Sequence, residues 1–152
     1  MGYRGGARCM KYSYKLSDAI HILAYVAIID DQKITSNDIA ASIEANASVV
    51  RRLMADLKRA GLLISQAGSA RPRLAKPADE ITVQDVFKAV ETNHDLLHVD
   101  PRTNMDCPVG ANIQQTLDSL YDRVQAAAEA EMARETLADV IEGIQTRRAQ
   151  IS

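Results

Sequence analysis

The sequence predicts a mainly α-helical protein with one small β-hairpin, and three observations carry that expectation. Apolar residues recur at spacings of three and four along most of the chain, which places them on one face of a helix. Ala, Ile, Leu and Val dominate the apolar set, aromatics make up 4% and Trp is absent, a composition that suits helices better than a sheet sandwich. Turn residues gather between two short apolar runs at Gly68 and Ser69, where a hairpin is expected. With 152 residues, the chain can bury a real core in one domain and carry an appended helix or two.

Residues 1–9 show no period and are expected to be a disordered extension or a cloning remnant, ahead of a head spanning 10–92. Residues 15–30 keep the helical period through Leu16, Ala19, Ile20, Leu23, Ala24, Ala27 and Ile28. His21 lies within that helix, and a lone helix His reads as a surface or core-edge residue before it reads as a ligand. Residues 35–61 then read as two helices around a short break. Ser36 is the expected N-cap of the first, with Asp38 favoured by the dipole in its first turn. Ile39, Ala40 and Ile43 form its inner face, Glu44 to Asn46 form the break, and Ser48 is the expected cap of the second helix. In that second helix Val49, Val50, Leu53, Met54 and Leu57 make the expected buried stripe. Arg51, Arg52, Ala55, Lys58 and Arg59 are left toward solvent, and Gly61 ends the helix. Two helices joined by a short turn, the second basic on its outer face, form a helix-turn-helix pattern.

Residues 62–66 and 73–75 are the expected strands of the hairpin, and a hairpin directly after such a unit is a wing. Pro72 removes a ladder donor and keeps its strand short. Thr82 then caps a helix running to about residue 92, with Asp85 three positions on as a near match to a capping box. From 93 to 110 no period survives, and a loop of this length is often functional. The remainder, 111–152, holds two helices, about 111–131 and 133–149. Their stripes (Ile113, Leu117, Leu120, Tyr121 and Val124, then Leu137, Val140, Ile141 and Ile144) are expected to bury against a second subunit. The fold class is therefore mainly α: a winged helix-turn-helix head with long C-terminal dimerisation helices.

Net charge is −2, but its distribution is uneven. Between Ala45 and Lys76 seven basic residues face Asp56 alone, a formal +6, whereas from Ile81 onward 12 acidic residues face six basic ones. A basic head on an acidic remainder suits a protein that meets duplex phosphate with one end. No apolar run approaches the roughly 20 residues of a membrane span, and no signal peptide is evident. Two distant cysteines, Cys9 and Cys107, suggest a reducing, cytoplasmic setting.

With these motifs in view, residues from Met10 to about Ala149 resemble the Rrf-two family of bacterial transcription regulators. The matching stretches are KYSYKLSDAIHILAYVA, SNDIAASIEANASVVRRLMADLKRAGLL and ITVQDVFKAVE, followed by a loop with Cys107 before a long helix. The resemblance implies a winged-helix homodimer in which the long helix pairs across a two-fold axis. Two departures stand out. The family's wing carries adjacent glycines at its tip, whereas here GSARPRL places Arg71 and Pro72 there. Cluster-binding members carry three cysteines in the loop, whereas this chain has Cys107 alone, at what looks like the last of those positions. One thiolate cannot replace three, so no iron–sulfur cluster and no other cofactor is expected.

The expected partner is double-stranded DNA. Ser48, Val49 and Arg52 are assigned to the groove, Arg52 being able to pair with guanine in bidentate fashion. Arg51, Lys58, Arg71 and Arg73 would supply charge to phosphates, and Ser36 would hold a phosphate at its helix N-terminus. The competing reading of the basic face is an ordinary solvated surface. Cys107 is the candidate redox sensor, on the ground that the long helix's dipole lowers its pKa; the competing reading is an inert thiol. A small-molecule or redox effector is allowed. His94 and His98 are the remaining ligand types, but they share a face only on a helix, which the surrounding Asp and Pro disfavour, so no metal is assigned. No phosphate loop, nucleophile elbow or zinc motif is present, and no catalytic residue is expected. The alternative function is a protein-interaction module with a degenerate winged-helix head.

Overall fold

A computed structural model describes residues 13–30, 33–65 and 71–151. Six α-helices and one two-stranded sheet follow in the order α1 (Lys15–Ile28), α2 (Ser36–Ile43), α3 (Ala47–Arg59), β1 (Leu63–Ile64), β2 (Arg73–Leu74), α4 (Val83–Val90), α5 (Ile113–Arg134) and α6 (Leu137–Ile151). A short 3-10 turn, Ala78–Glu80, precedes α4. The expected extension at 1–9 and the expected hairpin tip at Gly68 and Ser69 lie outside the described residues.

The core is built around α1. Ala19, Ile22, Leu23, Ala24 and Val26 are buried, while Ala27, expected on the inner stripe, is exposed. The stripe is wider than a single face because α2, α3, α4, α6 and β2 all pack against this helix. From α3, Val50, Leu53 and Leu57 join the same cluster, together with Ile39 of α2 and Val86 and Val90 of α4. Val49, expected in that stripe, is 42% exposed, and Met54 is half-buried. Spacings of three and four from Val50 pass through Leu53 and Leu57, which leaves Val49 on the flank.

Both helix starts in the helix-turn-helix unit differ from expectation by one or two residues. Thr35, not Ser36, caps α2: its hydroxyl accepts the Asp38 N–H at 3.2 Å, and the Asp38 carboxylate accepts the Thr35 N–H at 2.8 Å. That reciprocal pair satisfies two free amide donors at once, which a lone Ser36 hydroxyl cannot. Asn46, not Ser48, caps α3, its side-chain oxygen accepting the Ser48 N–H at 2.9 Å. The break between the helices turns through Glu44 in the left-handed region (φ 59). At the far end of α3, Gly61 has φ 75; its N–H donates to the Lys58 carbonyl, and the Leu62 N–H donates to the Leu57 carbonyl. This is a Schellman closure, and it turns the chain into the wing.

In the wing, Leu63 pairs with Leu74 and Ile64 with Arg73, antiparallel, and the Ala75 N–H extends the ladder to the Leu62 carbonyl. Pro72 stands just before β2, where its missing donor breaks no ladder bond. At α4 the expected capping box is present, with Thr82 and Asp85 bonded in both directions at 3.0 Å.

The C-terminal helices divide in their roles. No residue of α5 is buried, and Leu120 and Val124 lie open on its surface. α6, expected outside the head, instead folds back onto α1. A third Thr–Asp pair, Thr136 and Asp139, bonds both ways at its start. The Val83 N–H donates to the Glu135 carbonyl at 2.9 Å and the Leu137 N–H to the Ile81 carbonyl at 2.8 Å, so the starts of α4 and α6 are stitched together. Leu137 is 2% exposed and belongs to the head's own core. Replacing Leu137 by Ala is therefore expected to cost about 2–5 kcal/mol of stability, read from urea unfolding followed by circular dichroism. A loss of a few tenths would place α6 outside the core.

Candidate nucleic-acid interface

The outer face of α3 follows directly from what its inner face must bury. With Val50, Leu53 and Leu57 fixed in the core, Ser48, Val49, Arg51, Arg52, Ala55 and Lys58 are all exposed. The first turn of α3 thus presents a hydroxyl, a methyl-bearing side chain and two guanidinium groups to solvent. Such a set can meet phosphate oxygens, the guanine edge and the thymine methyl. The Ser48 hydroxyl is 2.9 Å from the Asn46 side-chain oxygen, so the cap also orients it. Arg59, further along, is paired to Asp56 at 3.3 Å. From the wing, Arg73 on β2 is exposed and Lys76 follows it.

Two assigned residues stand differently from expectation. Arg71 turns inward: its guanidinium donates to the carbonyls of Ile29 at 2.7 Å and Val26 at 3.2 Å, and it meets the Asp30 carboxylate at 3.4 Å. The last turn of α1 holds no basic residue of its own, so Arg71 supplies the cation that its carbonyl end favours. It secures the wing's root to α1 instead of offering charge outward. Ser36 is half-buried at the first turn of α2, beside the Asp38 carboxylate. Hydrogen bonds from the Thr35 backbone and hydroxyl hold that carboxyl below its ordinary pKa. A phosphate at this helix start would meet a negative charge, which weakens the assignment of Ser36. Two exposed asparagines, Asn37 beside Ser36 and the capping Asn46, were not singled out in the sequence. Asn ranks with Ser as a cap, so the signal at Asn46 was present.

Cys107 is half-buried in a chain of turns between the loop and α5. Its pKa is lowered, first by the backbone N–H of Gly110 and then by that of Val109, against a smaller opposing effect of burial. These amides belong to the turn, and α5 itself begins six positions later at Ile113. Gly110 is required there: a Cβ would stand 2.2 Å from the Asn104 carbonyl oxygen. The Thr103 hydroxyl closes the same turn on the Gly110 carbonyl at 2.6 Å.

His94 packs edge-on against Phe87, with ring centroids 5.6 Å apart. His98 lines a separate hollow of about 220 Å³ with Asp95, Asp118 and Asp122. Among the described residues no three His, Cys, Asp or Glu side chains converge as metal ligands.

A helix-turn-helix followed by a two-stranded wing, on a head that continues into long helices, is the architecture of winged-helix transcription regulators. Residues 12–143 match the Rrf2 family model, described as an iron-dependent transcriptional regulator. The chain belongs to that family. It is 39% identical over 127 residues to YwnA of Bacillus subtilis (strain 168), provisionally named an HTH-type transcriptional regulator, covering 84% of this chain and 94% of YwnA. A crystal structure provisionally assigned as that of a DNA-binding protein superimposes with a TM-score of 0.68 at 38% identity, covering 84% of this chain and 98% of that one. The global cysteine regulator CymR of B. subtilis shares the fold, with a TM-score of 0.64 at 20% identity over 88% of this chain and 97% of its own. Iron enters through the family's description. The segment before α5 offers one thiol, and that sulfur is engaged by backbone amides.

The turn predicts the chemistry of Cys107. Its thiolate should form at lower pH than an ordinary cysteine's, so alkylation by iodoacetamide should reach half its maximal rate at lower pH. Gly110→Ala, which must displace the Asn104 carbonyl, should move that profile upward in pH. Identical profiles for the two proteins would remove the turn amides as the cause.

Proposed function

We propose that the chain is a DNA-binding repressor that reads a two-fold symmetric operator as a homodimer in the cytoplasm, without an iron–sulfur cluster. The observation that carries this reading is the outer face of α3, where Ser48, Val49, Arg51, Arg52 and Lys58 stand exposed beside the wing's Arg73. Arg52 and Val49 contact base edges; Arg51, Lys58 and Arg73 contact phosphates. The homodimer draws support from α5, a 22-residue helix with no buried residue and with Leu120 and Val124 on its surface. A second α5 is the partner whose apolar stripe complements it. Cys107 acts as the switch: its thiolate is favoured, and it lies just before α5, so oxidation there disturbs the pairing helix.

Gel retardation of the DNA upstream of the protein's own gene tests the reading. Arg52→Ala should lose about 1–3 kcal/mol of discrimination between that DNA and an unrelated duplex. Arg73→Ala should weaken both complexes alike. Undiminished discrimination in Arg52→Ala would remove Arg52 from base reading, and no retardation by the wild type would overturn the function. Placing Asp at both Leu120 and Val124 should convert a dimer to a monomer in sedimentation velocity without loss of helical signal; an unchanged sedimentation coefficient would exclude α5 as the pairing surface.

A further inference from the structure

Between α1 and α6, on the side of the head away from the wing tip, lies a groove of about 320 Å³. Its walls are Ile28 and Ile29 at the end of α1 and Ile144 of α6, with Tyr25 beside them. The charged or ionisable side chains lining it are His21 and Arg148, and none of its lining residues is acidic. The volume lies at the small end of ligand pockets, and an apolar wall with a few polar groups at one side is the usual make-up of such a site. Arg148 carries a permanent charge whose planar fork matches a carboxylate. The chemistry of the lining thus selects a small anion with an apolar body over a cation or a neutral polar molecule.

Both ends of the groove's α1 wall are bonded to the DNA-reading elements. The His21 ring nitrogen is 2.8 Å from the Ser42 hydroxyl in the last turn of α2. At the other end, the Ile29 carbonyl accepts the Arg71 guanidinium from the wing's root at 2.7 Å. A molecule seated between Ile28, Ile29 and Ile144 therefore presses on a helix tied to the helix-turn-helix unit and to the wing. We propose that this groove is a binding site for a small carboxylic acid with an aromatic or branched aliphatic body, and that its occupation alters DNA binding. The second half rests on the DNA-reading function above; the first half does not.

Ligand-observed NMR and calorimetric titration with phenylacetate, benzoate and 4-methylpentanoate test the site, with phenylacetamide as the neutral control. At least one acid should bind saturably, and phenylacetamide more weakly. Arg148→Ala should weaken the acid by about tenfold, the worth of a charge-assisted hydrogen bond. Ile144→Glu, at a position already 39% exposed, should abolish binding by placing a carboxylate in the groove. Circular dichroism of both variants should match the wild type. Saturable binding by none of the three acids, or binding indifferent to both substitutions, overturns the site. Saturable binding with unchanged gel retardation of the upstream DNA overturns its control role. Failure of the ligand-free protein to retard that DNA overturns the DNA-reading function while leaving the titration result to stand on its own.

Discussion

The structure depends on the complete burial of the middle of α1. Ile22 and Leu23 are sealed from water, and each side chain so buried contributes about 1.5–3 kcal/mol. Because α2, α3, α4, α6 and β2 all pack on this one helix, none can rotate without opening the same core. The outer face of α3 is a by-product of that constraint. Val50, Leu53 and Leu57 must point at α1, so Ser48, Val49 and Arg52 must point away from it. The outward face of α3 is thus fixed by apolar packing on the opposite side of the helix, before any nucleic acid is present.

A second regularity lies in how the helices begin. Thr35–Asp38, Thr82–Asp85 and Thr136–Asp139 are the same four-residue device, each with the Thr hydroxyl accepting the Asp amide and the Asp carboxylate accepting the Thr amide. For Asp38 and Asp139 these bonds lower the carboxyl pKa. Their contribution is complete above the ordinary carboxylate range and is lost only as pH falls through the lowered values. The starts of α2 and α6 are therefore held in their bonded form throughout neutral and mildly acidic conditions.

Much of this was legible in the sequence, and the exceptions share a cause. The order of elements, the wing, the box at Thr82 and the closing Gly61 are local signals, written within four residues of where they act. The N-cap at Ser36 was misplaced because Ser is a good cap by type, whereas the reciprocal spacing of Thr35 and Asp38 decides the position. What the sequence could not show was set by distant contacts. Arg71 looked like a phosphate contact, and its inward turn depends on an unsatisfied carbonyl end 42 residues earlier at Ile29. The stripe of α6 looked like an intersubunit surface, yet Leu137 is claimed by Ile81 and the head. Cys107 was singled out for the helix that follows it, whereas the amides that lower its pKa belong to a turn closed by Thr103 and Gly110, which no local sequence signal announces.

The inward Arg71 also changes how much counterion the head can displace. Of the seven cations between Ala45 and Lys76, Arg71 is spent on carbonyls and Arg59 faces Asp56, leaving Arg51, Arg52, Lys58, Arg73 and Lys76 exposed. Association with a polyanion draws its entropy from released ions, about 0.9 per neutralised phosphate. A head with five such cations gains less of that sequence-blind entropy than its formal charge implies. On the proposed reading, a larger share of its hold on DNA then comes from base edges met by α3.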